Sequence, residues 1–555
     1  MKKLFSIISL FSFFLANAQN SFLWADQFVG DLGAEAPAIC TDASGNVYTA
    51  GQFEGTIDFD PGPGTFTLTS FGNWDAFITK LDPAGNLIWA KHFGGTQGDW
   101  GMDMALDASG NIYVTGEFQG TSDLDPGPGV SSFTSNPFGT DVFVSKFDLN
   151  GNFIWAKQLG GTNSCEVRAI TLEGNSSLYI SGVFQGTIDF DPGPSTYTMT
   201  DGGNGNAYIT KLDASGNFGW AKQISGTSGS LAMGIAFDAT GNVYTTGRYS
   251  GSYDFDSGPG TFILTSSAMW DIFIMKHDAA GNFLWAKSVG GPNYDIGIDI
   301  TTDASGNIYT TGQFYNTVDF DPGPAVYNLT TTVTDVFILK LDPLGNFLWA
   351  KNFNGTVKSI TLDASNNIYT TGGYMGTADF DPASGVYNYN SNGSYDIFIS
   401  KLDPSGNFLW AQSMGSSNSD TGLDITLDAT GNIYTSGYFD LTVDFDPGPS
   451  VYNLTCSSVS DVYVHKMNSS VGINILEKSL SYSLLPNPNS GDFILNLEQE
   501  SQVSISNSLG IVIYKRTLAE GNEKIELLSV ESGIYYLTVK AEGQAPQTKL
   551  ISILK

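Results

Sequence analysis

Short alternations of apolar and polar residues run along most of this chain, separated by tight polar turns. In Gly101–Leu159 they cover Gly101–Leu106, Asn111–Phe118, Asp141–Phe147 and Asn152–Leu159. Alternation over roughly four to eight residues is typical of half-buried β-strands. The turns read DASGN or DPAGN elsewhere in the chain, where Asp caps the turn and Gly takes the left-handed position of a short hairpin loop. The segment therefore predicts four antiparallel strands.

The same four-strand unit recurs seven times. Its fourth strand carries Trp-Ala, which returns about every 65 residues, at Trp24, Trp89, Trp155, Trp220, Trp285, Trp349 and Trp410. The last copy stops after its third strand, Asp461–Met467, whereas a lone fourth-strand segment, Phe22–Phe28, precedes the first copy. We expect these two segments to pair, because pairing removes the open edges of both terminal units. The sequence predicts an all-β, seven-bladed β-propeller whose N-terminal strand closes the last blade.

Each repeat also carries an insertion between its second and third strands, such as Glu54–Trp74. Its ends alternate around a DPGP turn, which predicts an extra hairpin projecting from each blade. Because successive strands alternate in direction, these hairpins share a face with variable loops such as Gly94–Asp103 and Gly290–Asp299. We expect ligands to bind on that face. The recurring aromatic residues are expected to pack between blades, although stacking platforms for sugars are the alternative.

Carboxylates concentrate on the same face and make calcium the predicted cofactor. Oxygen ligands clustered on loops are what Ca²⁺ binds in proteins. The alternative is that one Asp of each pair caps its turn and the other is solvated, since the spacing departs from the EF-hand pattern. The candidate ligands are the hairpin pairs and the acidic residues that open the third strands: Asp58, Asp60, Asp75, Asp123, Asp125, Asp141, Asp189, Asp191, Asp254, Asp256, Asp271, Asp319, Asp321, Asp335, Asp379, Asp381, Asp396, Asp444, Asp446 and Asp461.

The charge of the chain argues against one class of partner. The formal net charge is −32, from 24 basic and 56 acidic residues, and such a chain repels phosphate backbones and anionic membrane surfaces. We therefore expect no nucleic-acid partner. No stretch reaches the roughly 18 apolar residues of a transmembrane helix, so no transmembrane segment is predicted.

Catalytic signatures are scarce. The three histidines, His92, His277 and His465, occupy unmatched positions of the repeat, and so do the three cysteines. This pattern indicates neither a metal cluster nor a Ser-His-Asp system. Glycine loops with the standard phosphate-binding spacings are also missing from the sequence. The sequence therefore predicts no catalytic residue, and a protein that is not an enzyme is the favoured hypothesis.

The two ends of the chain differ from the repeats. Residues 1–18 combine two lysines, an apolar run and an A-x-A site, which predicts a signal peptide cleaved between Ala18 and Gln19. The repeats then define a propeller over residues 19–470. From residue 471 to residue 555 the rhythm and the acidity end, and several short alternating stretches predict a small Ig-like β-sandwich.

This tail resembles a known family. The segments LPNPNSGDF, NSLGIVIY, SGIYYL and KLISILK are similar to the type A C-terminal sorting domain of the type IX secretion system of Bacteroidetes. The resemblance implies Sec export, passage through the outer membrane by the type IX machinery, and removal of the tail, often with attachment to the cell surface. A carbohydrate-binding or adhesive sandwich is the alternative. The residues that match the motif are Pro486, Asn487, Pro488, Gly491, Gly510, Gly533, Tyr535 and Lys549.

The repeats resemble SBBP-type bacterial β-propeller repeats, in which segments like DASGNIYVTG, DVFVSKFD and GNFIWAK follow one another. Together these features favour a secreted or cell-surface, non-catalytic binding or adhesion propeller with a glycan or protein ligand. One alternative is a propeller enzyme, a lyase or a quinoprotein-like oxidoreductase, because LDPAGNLIW faintly resembles quinoprotein repeats. The other is a structural surface component whose repeated weak sites act by multivalency.

Overall fold

The computed structural model describes residues 22–226, 228–457, 459–468, 482–485, 492–497, 500–507, 511–527, 530–541 and 547–554. Regular structure in these residues is all β, and every pair of neighbouring strands is antiparallel. The described chain falls into two compact units, one within Asn20–Ser470 and the other within Val471–Lys555. Across the described ranges there is no helix long and apolar enough to cross a membrane. The predicted signal peptide and its cleavage pair, Ala18 and Gln19, lie outside these ranges.

The first unit contains 39 strands among its described residues. In chain order they are β1 (Phe22–Gly30), β2 (Ala34–Thr41), β3 (Val47–Asp58), β4 (Thr67–Leu81), β5 (Leu87–Gly95), β6 (Asp99–Leu106), β7 (Ile112–Phe118), β8 (Thr121–Asp123), β9 (Ser132–Thr134), β10 (Asp141–Phe147), β11 (Phe153–Gly161), β12 (Cys165–Glu173), β13 (Ser177–Phe184), β14 (Thr187–Asp189), β15 (Thr198–Thr200), β16 (Asn206–Asp213), β17 (Phe218–Gln223), β18 (Ser225–Gly226), β19 (Ser230–Phe237), β20 (Val243–Tyr249), β21 (Ser252–Asp254), β22 (Ile263–Thr265), β23 (Asp271–His277), β24 (Phe283–Val289), β25 (Ile296–Thr302), β26 (Ile308–Phe314), β27 (Thr317–Asp319), β28 (Asn328–Thr330), β29 (Asp335–Leu341), β30 (Phe347–Asn354), β31 (Thr356–Leu362), β32 (Ile368–Asp379), β33 (Asn388–Leu402), β34 (Phe408–Met414), β35 (Thr421–Leu427), β36 (Ile433–Phe439), β37 (Thr442–Asp444), β38 (Asn453–Thr455) and β39 (Asp461–Met467).

The strands form four-stranded sheets, and within each sheet they lie side by side in the order in which they occur in the repeat. In the described residues this gives seven four-stranded sets, numbered here as sheets 1 to 7: β2-β3-β4-β5, β6-β7-β10-β11, β12-β13-β16-β17, β19-β20-β23-β24, β25-β26-β29-β30, β31-β32-β33-β34 and β35-β36-β39-β1. The tight turns between the strands are held as the sequence predicts. In the first of them, Asp42 Oδ1 accepts the N–H groups of Ser44 and Asn46 at 2.9 and 3.0 Å.

The N-terminal strand completes sheet 7. β1 pairs with β39 along its length, with Ala25 opposite His465 and Phe28 opposite Val462. The predicted pairing of the lone fourth-strand segment with the last repeat is therefore present in the structure. Sheets 7 and 1 also touch at their first strands, since Ile39 N–H donates to Asp424 Oδ2 at 2.9 Å.

The first strands of successive sheets pack against one another. β2 contacts β6, β6 contacts β12, and the series continues through β19, β25, β31 and β35, which contacts β2. Three carboxylates at the same first-strand position join neighbouring sheets: Asp103 Oδ2 accepts the N–H of Ile170 at 2.8 Å, and Asp299 and Asp424 accept those of Ile360 and Ile39 at 2.9 Å. Backbone groups at these junctions therefore find partners in the adjacent sheet.

Lysine, tyrosine and tryptophan form a second set of contacts between sheets. Lys80 Nζ lies 4.9 Å from the centre of the Tyr48 ring and donates to Leu149 O of the next sheet at 3.3 Å. Trp89 Nε1 donates to the same carbonyl at 3.4 Å. Trp24, Trp220 and Trp349 make the same bond to the turn of the neighbouring repeat at 3.1–3.3 Å, whereas the indole N–H groups of Trp285 and Trp410 are buried without a partner in the described chain.

The predicted hairpins are present but do not project. In sheets 1 and 6 they extend the second and third strands, and elsewhere they are β8-β9, β14-β15, β21-β22, β27-β28 and β37-β38. Phe59 of the first hairpin is fully buried, with its ring 5.3 Å from Phe28 and 5.0 Å from Phe77. The equivalent residues Leu124, Phe190, Phe255, Phe320, Phe380 and Phe445 are buried as well. The prediction of a projecting crown is wrong, because burying this apolar residue holds each hairpin against the sheets.

The second unit contains two sheets around one core. Its strands are β40 (Tyr482–Leu485), β41 (Asp492–Leu497), β42 (Ser501–Ser506), β43 (Val512–Leu518), β44 (Gly521–Glu526), β45 (Gly533–Ala541) and β46 (Gln547–Ile553). They form the sheets β40-β41-β44 and β43-β42-β45-β46. Leu495 from one sheet and Ile505 and Leu537 from the other are fully buried in the shared core.

Three of the predicted sorting residues fall in this unit's described strands. Gly533 begins β45, Tyr535 donates its hydroxyl to Glu531 O at 3.0 Å, and Lys549 lies on β46 opposite Leu537. The remaining sorting residues lie outside the described ranges: Pro486, Asn487, Pro488, Gly491 and Gly510.

Candidate ligand-binding site

The hairpin carboxylates cap their own turns. Asp58 Oδ1 accepts the N–H groups of Asp60 and Phe66 at 3.1 and 2.8 Å, and Asp60 Oδ1 accepts that of Gly62 at 2.9 Å. The pairs with the same pattern are Asp123/Asp125, Asp189/Asp191, Asp254/Asp256, Asp319/Asp321, Asp379/Asp381 and Asp444/Asp446. One oxygen of each carboxylate is therefore engaged in turn geometry.

The acidic residues that open the third strands are buried, at 4% exposure or less: Asp75, Asp141, Asp271, Asp335, Asp396 and Asp461. Their carboxylates accept hydrogen bonds from neighbouring groups; Asp75 Oδ2, for example, accepts the N–H of Phe71 at 3.0 Å, and Asp335 Oδ2 accepts from Asn352 Nδ2 at 2.8 Å. Burial raises the pKa of Asp75 to about 7 and those of Asp141 and Asp396 to about 6. These carboxyl groups are therefore partly protonated near neutral pH.

One cavity brings predicted residues from two repeats together. Asp141 of sheet 2 and the hairpin pair Asp189/Asp191 of sheet 3 line a polar cavity of about 490 Å³. Even so, the part of the chain that the structure describes holds no group of three or more His, Cys, Asp or Glu side chains arranged to hold a metal ion. The calcium prediction remains one to be tested by metal removal.

The three carboxylates that join the first strands also influence one another. By exposed area Asp103, Asp299 and Asp424 are half-buried, but the surrounding protein removes most of their hydration. This burial raises the pKa of Asp299 to about 6 and that of Asp424 to about 7, with Asp299 adding to the shift of Asp424. Because each side chain accepts backbone N–H groups, we assign these residues a structural role.

The repeats differ from one another where the second strand ends. Arg248 is the penultimate residue of β20, and the other sheets carry Gln52, Glu117, Val183, Gln313, Gly373 and Tyr438 at this position. The facing first strands also vary, with Glu166 and Arg168 in β12. Arg168 and Arg248 are the only arginines before residue 516. The sequence analysis missed this variation, because the deviations are spread over different repeats and appear only when equivalent positions are aligned.

Arg168 is neutralised by two carboxylates. Its guanidinium lies 3.4 Å from Glu117 Oε1 of sheet 2 and 2.5 Å from Glu166 Oε2 of its own strand. Burial raises the pKa of Glu117 to about 7, Arg168 opposes this rise, and Glu166 adds to it. Arg168 thus serves as the counter-charge of a partly buried acidic pair.

Arg248 has a different environment. Its guanidinium lies 4.6 Å from the centre of the Trp270 ring, and its Nε is buried without a hydrogen-bond partner. Within the described ranges no carboxylate oxygen lies within 4.0 Å of its guanidinium nitrogens. Burial lowers the pKa of Arg248, and the nearby positive charge of Arg168 lowers it further. Arg248 is therefore a half-buried cation held by an aromatic face rather than by an acid.

A cavity of about 320 Å³ lies in sheet 5, the sheet that follows the one carrying Arg248. It is lined by Tyr294 and Tyr315, which are 53% and 38% exposed, together with Asn293, Ile296, Gln313 and Thr334. Trp270 joins the two features, because its backbone forms a parallel bridge with Tyr294. Three of the six lining residues, Asn293, Tyr294 and Ile296, belong to the variable loop Gly290–Asp299, one of the loops at which the sequence predicts binding.

Asp295 fixes the walls of this cavity. Its carboxylate is fully buried and accepts the N–H of Gly291 at 2.7 Å and that of Tyr315 at 3.2 Å. Its own N–H donates to Trp270 O at 2.9 Å. The Asp295 side chain therefore joins the loop before β25 to the residue after β26, and its backbone N–H joins this loop to the residue before β23, so the cavity is preformed.

Comparison with known protein families identifies two segments of the chain. Residues 483–553 match the secretion system C-terminal sorting domain, and residues 284–313 match the β-propeller repeat known as SBBP. The recognition of both families from sequence is confirmed. The sorting domain is that of the type IX secretion system, and it indicates export to the cell surface or the extracellular space with the secretion machinery as a partner.

Curated relatives are distant. An uncharacterized WD repeat-containing protein, L264, of Acanthamoeba polyphaga mimivirus is 23% identical over 462 residues, which are 68% of this chain and 33% of the relative. The regulatory protein FlaEY of Caulobacter vibrioides is 23% identical over 202 residues, 36% of this chain and 20% of that protein. The matched regions therefore span a third or less of the length of these relatives.

Among solved structures, PorZ of Porphyromonas gingivalis is described as an essential bacterial surface component of the type IX secretion system. It is 12% identical, with 95% of this chain and 100% of that chain covered and a TM-score of 0.17. A protein of unknown function from Bacteroides caccae is 12% identical, with 63% and 99% covered and a TM-score of 0.24.

Proposed function

We propose that this chain, which carries β-propeller repeats and a type IX secretion-system sorting domain and is exported to the cell surface or beyond, is a non-catalytic carbohydrate-binding protein. The observation that carries the proposal is the preformed cavity with two exposed tyrosines, Tyr294 and Tyr315. We further propose that sheets 1 to 7 form a seven-bladed propeller over residues 19–470. The tail, residues 471–555, is the sorting domain, and residues 1–18 are a signal peptide cleaved before Gln19.

Two observations support the closed propeller. The contacts among the first strands run from β2 to β35 and return to β2. The N-terminal strand supplies the fourth strand of sheet 7, so the chain ends are joined by backbone hydrogen bonds. A ring of this kind has no open sheet edge between its first and last repeats, which suits a protein that works outside the cell.

The composition of the cavity favours sugar recognition. Exposed tyrosine rings offer flat apolar faces to the C–H groups of a sugar, and their hydroxyls remain polar. The amides of Asn293 and Gln313 and the hydroxyl of Thr334 supply donors and acceptors for sugar hydroxyls. Because Asp295 already holds both loops, little ordering remains to be done when a ligand binds.

The same composition argues against catalysis at this cavity. None of its six lining residues is a carboxylate, a histidine, a cysteine or a lysine. A hydrolase or lyase needs a positioned acid or base within hydrogen-bond reach of the reacting atoms, and tyrosine is the one residue type in this lining that can serve as such a group. The cavity offers groups that bind and orient, and binding without turnover is the function that these groups support.

A glycan array with the full exported chain tests the proposal. We expect the chain to bind a defined set of glycans and Tyr294→Ala to weaken that binding about tenfold, since one stacked aromatic contributes ~1.4 kcal/mol. The matched control is Phe138→Ala, which removes an 84% exposed ring from another sheet and should leave binding unchanged. A folded chain that binds no glycan, or equal binding by Tyr294→Ala and the unaltered chain, would overturn it.

A further inference from the structure

We propose that Arg248 on Trp270 is a subsite for the negatively charged group of an acidic sugar, a carboxylate or a sulfate ester. This inference rests on the proposed function, because it names the class of carbohydrate that the Tyr294 cavity and its surroundings select. The subsite would hold the charged unit of an oligosaccharide while the tyrosine cavity holds a neighbouring unit.

The missing counter-charge is the first argument. The chain carries 56 acidic and 24 basic residues, so carboxylates that could pair with an arginine are plentiful. Arg168, a half-buried arginine in the adjacent sheet, binds two carboxylates. Arg248 binds none among the described residues, although burial makes an unpaired charge costly. A ligand that brings its own negative charge would remove that cost.

The geometry of the guanidinium is the second argument. A guanidinium stacked on an indole keeps its N–H donors in its own plane, where they can form two parallel hydrogen bonds to an oxyanion. The Nε of Arg248 is buried and lacks a partner in the described chain, so an oxyanion would bind this guanidinium through its two Nη groups. The Trp270 ring, whose centre lies 4.6 Å from the guanidinium carbon, restricts the motion of the side chain and so lowers the entropy cost of binding.

Location connects the subsite to the cavity. Arg248 ends β20, Trp270 precedes β23, and the backbone of Trp270 is bridged to Tyr294. Trp270 therefore adjoins both features, Arg248 through its ring and Tyr294 through its backbone. None of the other sheets carries an arginine at this position, so the described chain offers one such subsite rather than seven.

The replacement that tests this subsite already occurs at the equivalent position of two other sheets. Arg248→Gln introduces the residue that sheets 1 and 5 carry at the same position, Gln52 and Gln313, so the fold tolerates it. Lys222→Gln is the control, because it removes one positive charge from β17 of the adjacent sheet without touching Trp270. Circular dichroism and the melting temperature confirm that both variants are folded.

Calorimetric titration of the full exported chain compares an oligogalacturonate with its methyl ester, which is neutral, and with a sulfated oligosaccharide of similar length. We expect the unaltered chain and Lys222→Gln to bind the acid at least tenfold more tightly than the ester. Arg248→Gln should lose this preference and keep its affinity for the ester. The sulfated probe shows whether the subsite accepts both oxyanions or only the planar carboxylate.

The outcomes separate this inference from the proposed function. Equal affinity of the unaltered chain for acid and ester, or an unchanged preference in Arg248→Gln, overturns the acidic subsite and leaves carbohydrate binding in place. Failure of the folded chain to bind any of the three probes or any glycan of the array overturns both proposals. Loss of acid and ester binding together in Tyr294→Ala supports the cavity as the shared anchor.

Discussion

Replacing Phe28 by alanine is the sharpest test of the closing strand. Phe28 of β1 is fully buried, and its ring lies 5.3 Å from Phe59 and 6.3 Å from Phe77, both in sheet 1. It therefore ties the strand that completes sheet 7 to the core of the adjacent sheet. Truncation of a buried phenylalanine to alanine costs about 3–5 kcal/mol through lost transfer energy and the cavity left behind. We expect Phe28→Ala to lose that much stability.

Thermal melting of the full chain measures the effect. With an unfolding entropy of about 2.1 cal/mol/K per residue over roughly 450 residues, the loss corresponds to a decrease of ~3–5 °C in the main transition. Leu23→Ala is the matched control, because Leu23 lies on the same strand but is 45% exposed. It should change the stability by less than about 0.5 kcal/mol. Equal, small shifts for the two variants would refute the closing role of β1.

Two further predictions concern the carboxylates. Burial raises the pKa values of Asp75 and Asp99 to about 7 in the folded chain, whereas an unfolded Asp titrates near ~3.9. The folded state therefore binds more protons, and the stability that these groups contribute is lost as the pH rises from about 4 to about 7. Asp75→Asn keeps an acceptor for the N–H of Phe71 but cannot ionise. We expect this variant to melt at a higher temperature than the unaltered chain at pH 8, and its melting temperature to depend less on pH. Identical melting temperatures for the two chains across this pH range would contradict the reasoning. EDTA should leave the melting temperature unchanged, because Asp189 and Asp191 already cap their turns, and a decrease that calcium reverses would instead establish the calcium prediction.

The candidate site was predictable only in part. The variable loop Gly290–Asp299 stands out in the sequence and does line the cavity with Asn293 and Tyr294. Arg248 did not stand out, because a single arginine at the end of a strand is ordinary until its partners are known. Arg248 and Trp270 are 22 positions apart in the sequence and come into contact across a sheet. The alternation and repeat spacing of the sequence do not predict such a pair.

The hairpins show the same division. Their turn chemistry is local: one alternative drawn from the D-x-D pattern was that one Asp of each pair caps its turn and the other is solvated, whereas in the structure both accept turn N–H groups. Whether the hairpin projects or packs depends on Phe59, which packs against Phe28 of β1, the strand that completes sheet 7. The sequence shows that an aromatic residue is present, but only the assembled sheets show what covers it.

By itself the sequence determined the strands, the tight turns, the repeat and the pairing of the first strand with the last repeat. These follow from side-chain alternation and from residues with fixed turn preferences. The pairing follows because the last repeat lacks a fourth strand, whereas a lone fourth-strand segment precedes the first repeat. The tertiary structure alone decided which carboxylates are turn caps and which are buried, and it alone brought Arg248, Trp270 and Tyr294 together from two sheets. The physical reason is that burial and charge pairing depend on neighbours brought close by folding, and these lie on different repeats.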